Sequence, residues 1–182
     1  MENRSKIKRI STRLYGVFLA FTILIPLVTV GFWVFYNILP ENLISASIKV
    51  KTGFPMPHEI TLQQKMLGLT VSLVPLALKM SAMLTIMQLL KLYRAGKVFS
   101  GAHVACFKKL GRFLVYYTLA GVAESTGIVL VMTMNNPPGK KMLSIGFSSD
   151  DLTLLVVAAI VLMISWIMDE GRKLAEENEL TV

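Results

Sequence analysis

The chain is poor in the residues that enzyme and metal chemistry usually need. Among 182 residues there is one cysteine, Cys106. One thiol builds neither an intramolecular disulfide nor a thiolate metal cluster, and Cys106 reads as a small apolar helix position. There are two histidines, His58 and His103. The charge pattern below sets them on opposite sides of a membrane, where they cannot share a metal. Each reads as an exposed loop residue. No acid, base and nucleophile set assembles from them, so the sequence argues against an enzyme and implies no cofactor. Charge is also scarce, at 16% of residues, and confined to short clusters. A chain this size has no room for a soluble catalytic domain beside its apolar runs. Direct nucleic-acid binding would need a soluble basic fold, and none is present.

What fills the chain instead is apolar sequence. Hydrophobic residues make up 54% and mean hydropathy is +0.61, above an ordinary soluble domain. A membrane span needs about 20 apolar residues, and four runs qualify: about 14–38, 66–90, 113–134 and 152–168. The expected fold is all-α, one integral membrane domain over 1–182 built as a bundle of four transmembrane helices, with a connector at 91–112 and a tail at 169–182. The first run is too long for a signal-peptide core. Pro26 should bend it, and Tyr15 near one end with Trp33 and Tyr36 near the other form interfacial aromatic belts. Residues 37–65 make the longest connection, interrupted by Pro40, Pro55 and Pro57, with one helical turn expected at Pro40 and a short strand at 48–51.

The second helix should run past the bilayer to Arg94 or Ala95, with Gly96 as its left-handed C′ residue. Ser100 is placed as N-cap of the next helix, with Phe99 and Val104 as a hydrophobic staple. Asn135-Asn-Pro-Pro-Gly139 breaks the third span, and Ser148-Ser-Asp-Asp151 caps the fourth helix, which should continue into the tail. Lys and Arg fix the expected orientation. Thirteen of the 19 lie in the N-terminal tail, the connector and the C-terminal tail. Five lie on the other side, at Lys49, Lys51, Lys65, Lys140 and Lys141. The positive-inside rule therefore places both termini in the cytoplasm, and a basic rim attracts anionic lipid.

Leu92-Tyr-Arg-Ala-Gly-Lys-Val-Phe-Ser100, Phe107-Lys-Lys-Leu-Gly111 and the ending Glu170-Gly-Arg-Lys-Leu-Ala-Glu-Glu-Asn-Glu-Leu-Thr-Val182 together resemble the DUF2975 family of uncharacterised bacterial membrane proteins. The resemblance implies four spans in the inner (cytoplasmic) membrane, no established catalytic activity, and genes often found beside small helix-turn-helix regulators. Such a regulator is therefore the expected cytoplasmic partner. It would dock at the hairpin tip, Arg94, Gly96, Phe99 and Ser100, and at the C-terminal tail, Glu176, Glu177, Glu179 and Val182, whose free end could be captured by a groove. The bilayer and a second copy of the chain complete the expected partners. The acidic tail is also expected to face the basic connector, with little energy in each exposed pair.

Two residues stand outside that pattern. Lys79 and Glu124 each sit in the middle of a span, where an ionisable side chain is costly and marks a functional site by default. The rival reading is accordingly a small transporter or channel subunit. Counted from the polar ends of their spans, the two residues match in depth, as an ion pair requires, and Ala120, Gly121 and Gly127 permit close helix approach. Counted from the tight turn they do not match. Lys79 is 16 residues from Ala95 and Glu124 is 23 from Gly101, an offset of about 10 Å at 1.5 Å per residue that brings Tyr117 level with Lys79. The counts agree only if residues 101–110 lie along the membrane surface and the chain bends at Gly111. Met80, Met83 and Met87, at helical spacing, read as flexible apolar packing.

Overall fold

The computed structural model describes residues 2–44, 57, 59–95 and 100–180. Gly96, Phe99, His58, Val182, the expected strand at 48–51 and the side chain of Glu179 lie outside the described residues. Four long helices carry the fold: α1 (Glu2–Val34), α3 (Leu62–Arg94), α4 (Gly101–Thr133) and α5 (Ser149–Leu180). A 3-10 turn, Tyr36–Ile38, and the one-turn helix α2 (Glu41–Ile44) follow α1. Each long helix is long and apolar enough to cross a membrane.

The helices outrun the spans because nothing stops them at the lipid boundary. Lys, Arg, Glu and Gln are good helix formers, so α1 includes the basic N-terminal residues and α5 includes the acidic tail. A 33-residue helix is about 50 Å long, against about 30 Å of hydrocarbon. Stop signals act where they are strong. Ser148 and Asp151 cap α5 reciprocally, Ser148 N–H donating to Asp151 Oδ2 at 2.8 Å and Asp151 N–H to Ser148 Oγ at 3.2 Å. Thr61 and Gln64 form the same box before α3, a Thr-x-x-Gln signal that is plain in the sequence once sought.

Packing follows chain order: among the described residues, α1 packs on α3, α3 on α4, and α4 on α5, while α1 and α5 make no extensive contact. In lipid, apolar burial supplies little drive between helices, so close approach and hydrogen bonds must do it. Each interface has a glycine whose missing Cβ makes room for a side chain of the facing helix. The Trp33 ring lies on Gly68, where a Cβ would come within 2.2 Å of it. Val71 lies on Gly127, and Leu162 on Gly111.

The end of the bundle opposite the α3–α4 turn is closed tightly. Trp33, Tyr36, Ile44, Ile60, Ile128 and Met132 form a buried cluster there. Trp33 and Tyr36 stack with ring centroids 6.2 Å apart. Around the cluster, Gln64 Nε2 donates to the Val131 carbonyl at 3.1 Å. Tyr36 OH donates to the Pro57 carbonyl at 2.9 Å. Asn37 exchanges two hydrogen bonds with the Ile60 backbone. The two ends of the connection between α1 and α3 are thus fastened to each other.

Candidate functional site

The position of the two mid-span charges depends on the register of the α3–α4 hairpin. α4 is continuous from Gly101, with no break at Gly111, so the straight count governs. Three contacts fix one register: Gln64 with Val131 and Met132, Val71 against Gly127, and Lys79 against Tyr117. The Lys79 ammonium lies 5.3 Å from the centroid of the Tyr117 ring. The same register sets Glu124 level with Ser72, about 10 Å along the axis from Lys79. The depth match from span boundaries fails because those boundaries are set by where charges happen to stand, whereas register is set by the turn.

Both residues nevertheless line one cavity of about 390 Å³. Its floor is α3, with Ser72 and Lys79. One wall is α1, with Thr29 and Trp33, and the other is α4, with Tyr117 and Glu124. Because α1 and α4 each pack on α3 and not extensively on each other, the third side of this three-helix trough is open among the described residues. Its upper end is sealed by the aromatic cluster, from which Trp33 Nε1 donates to Ser72 Oγ at 3.3 Å. Glu124 and Ser72 are buried and Lys79 half-buried. Pro75, one turn before Lys79, also lines the cavity; its ring removes a backbone donor from the helix at that level. Chemically, the site offers a cation held over an aromatic face, a carboxylate two turns away, and flat aromatic walls between them.

The basic end holds the other predicted residues. Lys91 and Arg94 both lie over the Tyr15 ring, at 5.6 Å and 5.4 Å from its centroid, so the hairpin tip is tied to α1 by cation–π contact. Ser100 has the extended backbone of an N-cap, but its side chain makes no capping hydrogen bond. Its Oγ is hydrogen-bonded to His103 Nδ1 at 2.9 Å instead. His103 is not an exposed loop residue: it is fully buried, 4.7 Å from the Tyr93 ring. An isolated histidine carries no periodicity of its own, and the ring is covered by the end of α3, which only the fold brings there. Cys106 is half-buried within α4.

The connector and the tail do meet, earlier than their charge runs imply. Lys108 Nζ is 2.9 Å from Asp169 Oδ2. Arg172 bonds Glu176 on its own helix at 2.6 Å, so the acidic run is partly neutralised within α5. The start of α4 and the later turns of α5 thus lie side by side: Leu162 lies against Gly111, and a Cβ on Gly101 would stand 4.0 Å from Arg172 Nε. Among the described residues, no group of three or more histidine, cysteine or acidic side chains is placed to hold a metal ion.

Comparison with known proteins finds no match among curated proteins and none among solved structures. Residues 44–182 match the family described as "Protein of unknown function (DUF2975)". That stretch is well over half of the chain; it takes in three of the four long helices, the hairpin tip and the tail, and it makes this four-helix protein a member of the DUF2975 family.

Proposed function

We propose that the chain is a small-molecule-binding membrane protein whose seat is the cavity between α1, α3 and α4, as in a small transporter or channel subunit. One observation carries this reading: the Lys79 ammonium stands in a cavity with the Tyr117 ring as its neighbour, and among the described residues no carboxylate is at ion-pair distance from it. An ammonium has three donors, and a π face satisfies little of that demand away from water. An acceptor on a bound molecule would meet the remaining capacity. The volume falls within the roughly 300–1,000 Å³ of small-molecule sites. The test is to purify wild type and Lys79→Met from native membranes and compare the small molecules each retains by mass spectrometry. A compound held by wild type and lost from Lys79→Met is expected. Identical extracts from both would remove the reading.

A second reading is favoured by a different observation. The family-pattern run 107–111 meets the tail at the basic end, where Lys108 pairs with Asp169, next to the run that begins at Glu170, and the positive-inside rule assigns that end to the cytoplasm. Docking of a soluble partner there, such as a helix-turn-helix regulator, fits that convergence. Affinity purification with and without the last 13 residues tests it. Partner recovery that survives the deletion would remove it.

A further inference from the structure

The cavity's composition and its open side narrow what it binds and how the ligand arrives. We infer that the seat takes a neutral, bilayer-soluble molecule with a compact planar carbonyl-bearing ring as head and an apolar tail, the chemistry of an isoprenoid quinone, admitted sideways from the lipid between α1 and α4. This rests on the cavity being a ligand seat.

The route follows from the packing. The trough has α3 as floor and α1 and α4 as walls, and its missing side lies between two helices that do not pack extensively on each other. Val28, which lines the cavity, is also 59% exposed on α1, so the lining runs out onto a face that lipid covers. The upper end is blocked by Trp33, Tyr36, Ile128 and Met132. A molecule that enters from the side is already dissolved in the bilayer.

The ligand's charge follows from the lining. Among the described residues it carries one cation, Lys79, and one carboxylate, Glu124. A net anion would have to be carried to mid-membrane at a cost of several kcal/mol. A neutral carbonyl avoids that penalty and still accepts a hydrogen bond from Lys79. The shape follows from the walls: Phe32, Trp33 and Tyr117 give flat apolar surfaces suited to a ring. About 390 Å³ holds a substituted ring but not a whole long-chain lipid, so an apolar tail is left to run out through the open side.

The chain carries its own reporter. It has two tryptophans: Trp33 lines the cavity, and Trp166 is exposed on α5. Trp166→Phe leaves Trp33 as the sole emitter. That protein, in lipid nanodiscs, is titrated with decylubiquinone, a quinone that quenches tryptophan. Saturable quenching is expected above the linear collisional background. Loss of a hydrogen bond from a charged donor by Lys79→Met should raise the half-saturating concentration by about tenfold. Lys79→Arg, which keeps the donors, should retain saturation. Purely linear quenching, unchanged by Lys79→Met, would overturn the inference. A parallel titration with dibromostearate, an anionic quencher, separates the two levels of the argument. If it saturates in a Lys79-dependent manner and the quinone does not, the neutral-head inference is wrong and the seat stands. If neither saturates, the seat itself falls with it.

Discussion

Gly68→Ala sets two effects of known size against each other. Alanine is favoured over glycine by about 1 kcal/mol in a helix interior, and Gly68 lies inside α3. Against that, the new Cβ would sit 2.2 Å from two atoms of the Trp33 ring and 2.8 Å from a third. The ring cannot move aside cheaply: it is 3% exposed, stacked on Tyr36 and hydrogen-bonded to Ser72. Overpacking of this kind costs about 1–3 kcal/mol, so it outweighs the helix gain and the net effect is destabilising by up to about 2 kcal/mol. Gly121→Ala is the internal control. It also lies inside a long helix, α4, and its Cβ would meet nothing within 4 Å, so it should stabilise by up to about 1 kcal/mol. Thermal unfolding of both variants in one detergent reads the sign. Adding Trp33→Leu to Gly68→Ala should recover part of the loss, a coupling expected only of residues in contact. If Gly68→Ala stabilises as Gly121→Ala does, the α1–α3 contact described above is wrong, and with it the wall that Trp33 gives the cavity.

Other perturbations separate further parts of the structure. His103→Ala should destabilise by about 2 kcal/mol, as loss of a buried ring does, where an exposed loop residue would stay within about 0.5; denaturation midpoints compare the two. Ser100→Ala should cost about 1 kcal/mol alone and almost nothing in a His103→Ala background, because its hydroxyl is bonded to the imidazole; an undiminished cost in that background would mean that it caps α4 instead. Asp169→Asn should lower the unfolding temperature slightly at low salt and not at high salt, since its pair with Lys108 is partly exposed. A reporter fused after Val182 should signal as cytoplasmic and one inserted near Gly53 as external; the reverse would overturn the assignment of the basic end.

Hydropathy alone marks the four helices, because lipid requires long uncharged runs and the chain supplies four. The helix ends are legible only where a cap is written locally, as at Ser148 and Asp151. Thr61 and Gln64 were equally legible. The extension of α1 and α5 past the lipid is not visible in hydropathy, because charged residues end an apolar run without ending a helix. Burial of His103 and the relation of Lys79 to Glu124 are tertiary facts. The first depends on the end of α3 covering a single polar side chain. The second depends on a register that two residue counts put in different places. What decided between the counts was the continuity of α4 through Gly111, which a sequence with glycine at that position does not announce. The same glycine takes the Leu162 side chain of α5 where a Cβ would stand, so it marks a packing site rather than a bend.

The register of α3 against α4 around Lys79 is the claim on which the cavity and both of its readings depend. It is measured by cross-linking cysteine pairs with a short bifunctional thiosulfonate in membranes, in a Cys106→Ala background. Ser72→Cys with Glu124→Cys should bridge readily, and Lys79→Cys with Glu124→Cys should not, since those two positions stand about 10 Å apart along the helix axes. Preferential bridging of the second pair would put Lys79 and Glu124 level, restore the ion pair and remove the cavity's cation from the account.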